Sequence, residues 1–297
     1  MRFPGLSKIM AESPPTTRVI DVWDVNTFDC ELRANLAENS DLIRNYFAIE
    51  NQIFLTDDLR RGNERFVVRP ENRYSCAFHA LEAAIGRQME TRAIRAWHYT
   101  RLTRAEVERL RREGIHLSRP STLRARLEEV VSSGAINAQA AEAIYARSLF
   151  HGEQLDARSD KFWMTSHPVA LDDGGVKVLL DFWGGEVAWK GLRNSGLLAI
   201  LANIGEPCII EVAVPLALSR HSTWAGRAVV ATFGRTLGCI QSKQSFDLYV
   251  TAPLPKEWVL EVHRKCDCSF QTIACGYPAD YVDIDNGYWK ELTSEGD

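Results

Sequence analysis

The fold is decided by the stretch Ile94-Arg95-Ala96-Trp97-His98-Tyr99-Thr100, whose β-branched and aromatic residues predict a strand. Thr103 and Glu106, which follow closely, match the T-x-x-E capping box that begins many helices. We expect this helix to end at Gly114, because glycine is favoured just beyond a helix C-terminus. The pattern therefore predicts a strand followed directly by a capped helix.

Extended and helical patterns alternate on both sides of this unit. Strands are predicted over residues 18–23, 65–68, 162–165, 208–214, 246–250 and 258–262. Helices are predicted over residues 28–53, with one break near Asn39-Ser40, and over residues 76–85, 120–133, 137–145, 175–189 and 197–204. Gly184-Gly185 weakens the helix over residues 175–189, because glycine has a low helix propensity. Residues 226–233 fit either type of element.

Composition places the chain among globular proteins. It has 297 residues, of which 45% are hydrophobic and 25% are charged, and its formal net charge is −4. This balance excludes a histone-like excess of positive charge. No stretch reaches the roughly 18 apolar residues of a membrane span, and the first residues lack an apolar signal segment. Together with seven cysteines, these features predict a protein of the reducing cytoplasm that does not enter a membrane.

We expect about two domains or one large one from the length. Residues 1–90 are predicted to form an N-terminal extension of unknown role, and residues 91–265 the main domain. Residues 266–297 form an acidic C-terminal segment, because six of the last 21 residues are acidic and only Lys290 is basic.

Arginine is concentrated in the first part of the main domain. Residues 92–126 contain ten arginines, no lysine and three acids. Such a segment is either a solvated helix face or a basic surface for a phosphate-rich partner, because the guanidinium fork pairs well with phosphate.

Three segments carry the chemistry that the sequence predicts. The first is Trp97-His98-Tyr99-Thr100, the second is Phe162-Trp163-Met164-Thr165-Ser166, and the third is the strand that opens with Asp247. In order and spacing they resemble the ADP-ribosyltransferase superfamily, in the branch that includes poly- and mono-ADP-ribosyltransferases and bacterial toxins. The resemblance covers residues 94–264 and implies an α+β fold with a split β-core flanked by helices, preceded by an α/β extension.

The resemblance implies that NAD is the substrate and that ADP-ribose is transferred to a macromolecule. His98 and Thr100 would bind the adenosine-side ribose or the nicotinamide amide, and Trp163 would stack on nicotinamide. Asp247 would accept from a ribose hydroxyl and stabilise the positive charge that develops on the ribose. Catalytic roles therefore fall on His98, Trp163 and Asp247. The implied NAD-binding residues are His98, Tyr99, Thr100, Phe162, Trp163, Thr165 and Ser166.

Two positions depart from the family pattern, which usually has Tyr where this chain has Trp163 and Glu where it has Asp247. The Asp side chain is shorter by one methylene, so Glu186 or Glu211 is an alternative source of the carboxylate. The choice between Phe162 and Trp163 depends on the register of their strand. A catalytically inactive member that only binds nucleic acid or protein is the alternative function.

The same resemblance predicts where the acceptor binds. The segment before Asp247 would select it through Gln241, Lys243 and Gln244. Arg109 and Arg112 would add positive charge, which favours nucleic acid over protein as the acceptor. By analogy with toxin-type members, we expect a role in a toxin–antitoxin or phage-defence module, with an inhibitory antitoxin as a further partner.

Two other kinds of site are weaker alternatives. Cys76, at the start of a predicted helix, resembles the nucleophile of papain-like cysteine peptidases, with His221 or His263 as the base. His263, Cys266, Cys268 and Cys275 have zinc-ligand chemistry, but they lack the paired C-x2-C spacing. We therefore predict no metal site.

Overall fold

The computed structural model describes residues 19–58, 68–193, 195–241 and 244–274. Its strands are β1 (Ala93–Leu102), β2 (Phe162–Thr165), β3 (Glu206–Pro215), β4 (Asp247–Val250) and β5 (Val259–Arg264). Its helices are α1 (Cys30–Glu38), α2 (Ser40–Ile53), α3 (Ser75–Met89), α4 (Arg104–Glu113), α5 (Pro120–Ser132), α6 (Ala138–Ala146), α7 (Leu155–Arg158), α8 (Gly174–Asp181), α9 (Glu186–Trp189), α10 (Leu197–Ala202), α11 (Ser222–Thr236) and α12 (Cys268–Ala274).

The strands form one open antiparallel sheet in the order β4-β2-β1-β3-β5. Trp97 of β1 pairs with Thr165 of β2, and Thr165 in turn pairs with Asp247 of β4. The prediction of an α+β protein with a β-core flanked by helices is confirmed in this general form. The three strands that carry the predicted chemistry are neighbours in the sheet.

The capping box predicted at the start of α4 is present. The Thr103 hydroxyl accepts from the Glu106 backbone N–H at 3.2 Å, and the Glu106 carboxylate accepts from the Thr103 N–H at 2.7 Å. These two bonds pair N–H groups that the first turn of a helix otherwise leaves without partners. The helix ends before Gly114, as predicted.

Some predicted elements differ in the structure. Of the strand predicted over residues 18–23, the described part contains one isolated bridge, between Ile20 and Ile94. The prediction is wrong beyond Ile20 because the chain turns there, and the Asp21 carboxylate accepts a hydrogen bond from the Trp23 N–H. The helix over residues 175–189 is split into α8 and α9 by Gly184-Gly185, whose φ angles of 92° and 66° are left-handed. Residues 226–233 belong to α11. Of the strand predicted over residues 65–68, residues 65–67 lie outside the described residues.

Contacts divide the described chain into two compact units. One contains residues 95–214 and 247–274, and the other contains residues 19–94 and 215–246. This division differs from the predicted limits at residues 90 and 265, since residues 215–246 group with the N-terminal part of the chain. From residue 275 onward, the predicted acidic segment lies outside the described residues.

In the unit that contains the sheet, β1 packs against apolar side chains through Trp97 and Tyr99. Trp97 and Tyr99 pack with Ile209 of β3 and with apolar residues of α8 and α12. A second apolar cluster joins α5 and α6 to the segment around the buried Trp183. None of the helices in the described ranges has both the length and the apolar character that crossing a membrane requires.

Candidate functional site

A cavity of about 390 Å³ opens between β1 and β2. Its lining includes four consecutive residues of β1, Trp97–Thr100, and the consecutive residues 161–165 at β2. Side chains of a strand alternate between the two faces of a sheet, so a cavity on one face would be lined by every second residue. Because consecutive residues line this cavity, we infer that it extends between the two strands. Helices α4 and α5 and the Gly184-Gly185 turn complete the wall.

The structure brings the predicted catalytic residues to this one cavity. His98, Trp163 and Asp247 all belong to its lining, as do Thr100 and Phe162. Thr165 and Tyr99 line it as well, although the Tyr99 hydroxyl is engaged elsewhere, where it accepts from the Val169 N–H at 2.6 Å. The remaining predicted NAD-binding residue, Ser166, is fully buried and is not part of the lining.

His98 spans the gap between the two strands. Its Nδ1 lies 2.7 Å from the carbonyl oxygen of Trp163. Burial lowers the pKa of His98 to about 4, against a smaller opposing effect of that carbonyl, and the charge of Arg126 lowers it further. The imidazole is therefore neutral near pH 7.

The strand register decides which aromatic ring lies beside His98. The ring of Phe162 lies 4.3 Å from the imidazole, measured between centroids. Trp163 instead pairs with Tyr249 across β2 and β4, and their rings lie 4.6 Å apart. Phe162 is thus the immediate aromatic neighbour of His98, and the Trp163 indole packs toward β4.

Two of the three candidate carboxylates line the cavity. Asp247 is exposed at the start of β4, and Glu186 is half-buried at the start of α9, where it forms an ion pair with Arg158. Glu211 is not part of the lining. It is buried in a separate cluster, 2.5 Å from Arg95 and 3.1 Å from the Nε2 of His263.

A third carboxylate in the wall, that of Glu106, was not predicted to be a site residue. Its oxygens accept from the Trp183 indole N–H at 2.9 Å and from Arg126 at 2.5 Å. Glu106, Arg126 and Trp183 are distant in sequence, and no local pattern links them.

The predicted acceptor-binding residues have different environments. The amide of Gln241 is buried and donates to the Ala231 carbonyl, Gln244 is exposed, and Lys243 lies outside the described residues. Arg109 lines the cavity and pairs with Glu129. The strongly exposed Arg112 pairs with Glu113 and is not part of the lining.

The arginines of residues 92–126 all have partners within the chain. Arg101 donates to the three carbonyl oxygens of Leu180, Ile204 and Gly205. The other nine form ion pairs with acids, namely Asp29, Glu31, Glu106, Glu108, Glu113, Glu129, Glu142, Asp160, Glu211 and Glu261. Acidic neighbours therefore offset much of the positive charge that the segment shows in sequence.

The two weaker alternatives gain little from the structure. Cys76 is exposed in the first turn of α3, but His263 is a poor base for it because Ser269 and Glu211 occupy its two ring nitrogens. His221 stands at the N-terminus of α11. Within the described ranges, no group of three or more His, Cys, Asp or Glu side chains is arranged to hold a metal ion, and Cys275 lies outside those ranges.

Comparisons with protein-family models, with curated proteins and with solved structures find no match for this chain. The roles proposed below therefore rest on the geometry of the cavity and on the residues that line it.

Proposed function

We propose that this chain is an ADP-ribosyltransferase that cleaves NAD in the cavity between β1 and β2 and transfers ADP-ribose to a macromolecule. One observation carries the proposal. The three strands chosen from sequence are neighbours in the sheet, and His98, Trp163 and Asp247 line a single cavity. These residues are far apart in the chain, so their meeting is a property of the fold rather than of local sequence.

The cavity has suitable size and chemistry for a dinucleotide. Its volume of about 390 Å³ lies within the roughly 300–1,000 Å³ typical of small-molecule sites. Phe162, beside His98, offers an aromatic face, which attracts a positively charged nicotinamide ring. Four cations (Arg109, Arg126, Arg158 and Lys161) and three carboxylates (Glu106, Glu186 and Asp247) line the wall, and the small excess of positive charge suits a diphosphate.

In the proposed reaction the bond between the nicotinamide nitrogen and the ribose carbon breaks, and its electron pair stays on nicotinamide. A lone pair of the acceptor forms the new bond to that carbon, and the acceptor loses a proton to a carboxylate or to water. A carboxylate beside the ribose lowers the barrier, because positive charge develops there in the transition state. Asp247 is our first choice for this carboxylate, since β4 lies beside β2, and Glu186 is the competing choice.

The acceptor is proposed only as a macromolecule. The arginine-rich segment favoured nucleic acid, but its arginines are already paired with acids or carbonyl groups. Exposed ion pairs are weak enough to exchange partners, so a nucleic-acid acceptor and an acidic protein are both compatible with this surface. A toxin or phage-defence role, with an inhibitory partner, remains part of the proposal by analogy alone.

The test is to incubate the purified chain with NAD labelled in its adenylate part, together with a cell extract, and to measure nicotinamide release and the fate of the label. The proposal predicts nicotinamide release and label in protein or nucleic acid. His98→Ala should abolish both, and His79→Ala, which changes an exposed histidine on α3, should abolish neither. Nicotinamide release without labelling would indicate an NAD hydrolase. Binding without turnover would indicate a binding module.

A further inference from the structure

Arg126 is held in a fixed orientation at the wall of the cavity. Its Nε lies 2.5 Å from one carboxylate oxygen of Glu106, and its guanidinium carbon lies 4.6 Å from the centre of the Trp183 ring. An ion pair along one edge and an aromatic face below restrict the planar group in two directions. The side chain is therefore oriented before any ligand arrives.

Glu106 is itself firmly anchored. Its second oxygen accepts from the Thr103 N–H at 2.7 Å and from the Trp183 indole N–H at 2.9 Å. Burial raises the pKa of Glu106, but the charge of Arg126 and these hydrogen bonds outweigh that effect and hold the pKa below its usual value. Glu106 is thus an ionised, immobile support for Arg126.

One end of the guanidinium still has hydrogen-bonding capacity. Within the described part of the chain, the Nη2 of Arg126 is buried and has no hydrogen-bond partner. A buried donor on a charged group is costly to leave unsatisfied. Arg126 belongs to the cavity lining, and a quarter of its side chain is exposed, so a ligand in the cavity can reach the guanidinium and supply an acceptor.

The other cations of the wall also have partners within the chain. Arg109 pairs with Glu129, and Arg158 pairs with Glu186. The Lys161 ammonium donates to the Asp156 carbonyl at 2.6 Å. Arg158 also has a buried nitrogen, its Nε, without a hydrogen-bond partner in the described residues. Arg126 is distinguished from the other cations by its support, because its guanidinium lies over the Trp183 ring and pairs with a carboxylate that is itself anchored.

We propose that Arg126 is the anion-binding residue of the cavity and that it binds a phosphate oxygen of a diphosphate-bearing ligand. The identification of that ligand with NAD rests on the proposed function. The choice of a diphosphate rests on it as well, whereas the binding of an anion does not, because the contacts of Arg126 favour an anion whatever reaction follows. Trp183 and Glu106 act as positioning residues, since they hold the guanidinium by an aromatic contact and an ion pair.

The test uses calorimetric titration of the full chain with inorganic pyrophosphate and, separately, with ADP-ribose. Arg126→Lys keeps the charge and loses the fork, so we expect about tenfold weaker binding of both probes, the effect of losing one charge-assisted hydrogen bond. Arg104→Lys is the matched control, because Arg104 is an exposed arginine outside the cavity lining, and it should bind both probes as the unchanged chain does. Equal affinities for Arg126→Lys and the unchanged chain, or no binding of either probe by the unchanged chain, would overturn the proposal.

A second variant guards against a folding defect. The double change Glu106→Gln with Arg126→Gln replaces the ion pair by two neutral amides and leaves no lone charge buried. It should fold, as judged by circular dichroism, and should bind neither probe.

Nicotinamide release separates the two proposals. If the chain binds pyrophosphate through Arg126 but does not cleave NAD, the anion site is supported and the transferase is refuted. If the chain cleaves NAD and Arg126→Lys binds both probes as tightly as the unchanged chain, the transferase is supported and the anion site is refuted.

Discussion

The Nδ1 of His98 lies 2.7 Å from the carbonyl oxygen of Trp163. A carbonyl oxygen only accepts hydrogen bonds, so Nδ1 carries the proton. Because the pKa of His98 is lowered to about 4, the ring is neutral near pH 7 and its lone pair is on Nε2. His98 thereby closes the gap between β1 and β2 with one nitrogen and offers the other as an acceptor for an N–H or O–H group of a ligand.

The stability of the protein should depend on pH through His98. The pKa is about 4 in the folded chain and 6.5 in the reference state. Between these values the unfolded chain binds a proton that the folded chain does not, so the free energy of unfolding falls as the pH is lowered from about 6.5 to about 4. The contribution of His98 to this fall is at most about 3 kcal/mol.

Urea titrations at several pH values test this dependence. His98→Asn keeps an N–H donor for the Trp163 carbonyl and removes the titration, so its unfolding free energy should fall less between pH 6.5 and 4. His151→Asn, at an exposed position, should retain the dependence of the unchanged chain. If the unfolding free energy of His98→Asn depends on pH as strongly as that of the unchanged chain, the lowered pKa of His98 is refuted.

The carboxylate of the reaction should be identified by two isosteric changes. We expect Asp247→Asn to lower the rate of nicotinamide release by about 100-fold or more, because one group that stabilises transition-state charge typically contributes that much. Glu186→Gln should have a smaller effect, mainly on KM, since Glu186 is paired with Arg158. The opposite ranking would assign the role to Glu186.

Glu211→Gln separates stability from catalysis. Glu211 is buried between Arg95 and His263 and does not belong to the cavity lining. Removing its charge should therefore destabilise the fold by a few kcal/mol, on the order of 3, and leave the turnover of the folded fraction nearly unchanged. The measurements are thermal unfolding and nicotinamide release per folded molecule. A specific loss of turnover in a fully folded variant would contradict this assignment.

The two neighbouring aromatic residues of β2 should differ in their effect on NAD binding. Phe162→Leu removes the ring beside His98 and should raise KM for NAD about three- to tenfold, as expected for one aromatic contact. Trp163→Phe keeps a ring against Tyr249 and should change KM by less than about twofold on the same scale. Steady-state kinetics decide between them, and a larger effect of Trp163→Phe would place the indole on nicotinamide.

Close packing of two helices in the other unit makes a prediction about stability. A Cβ at Gly226 of α11 would lie 2.6 Å from the Gly86 nitrogen and 2.7 Å from its Cα in α3. Backbone atoms cannot yield as a side chain does, so Gly226→Ala should lower the free energy of unfolding by about 1–3 kcal/mol. Gly174→Ala, whose Cβ would meet no atom within 4 Å, should not destabilise the protein. Equal melting temperatures for both variants would refute the close approach.

Local sequence alone determined most of the elements that build the site. The Thr103–Glu106 capping box, Gly114 and the β-branched and aromatic residues of 94–100 each act through neighbours in the chain, and each prediction is confirmed. The helix over residues 175–189 was misjudged in extent, although Gly184-Gly185 marked the break. Short-range signals suffice where the stabilising contacts are short-range.

Tertiary structure alone decided which side chains meet. Whether Phe162 or Trp163 lies beside His98 depends on how β2 aligns with β1 and β4, and a shift of one residue would exchange the two rings. The contact of Glu106 with Arg126 joins two helices, so no periodicity within either helix encodes it. Strand register and helix packing follow from the burial of the whole core, and for that reason the geometry of the cavity was not contained in any local pattern.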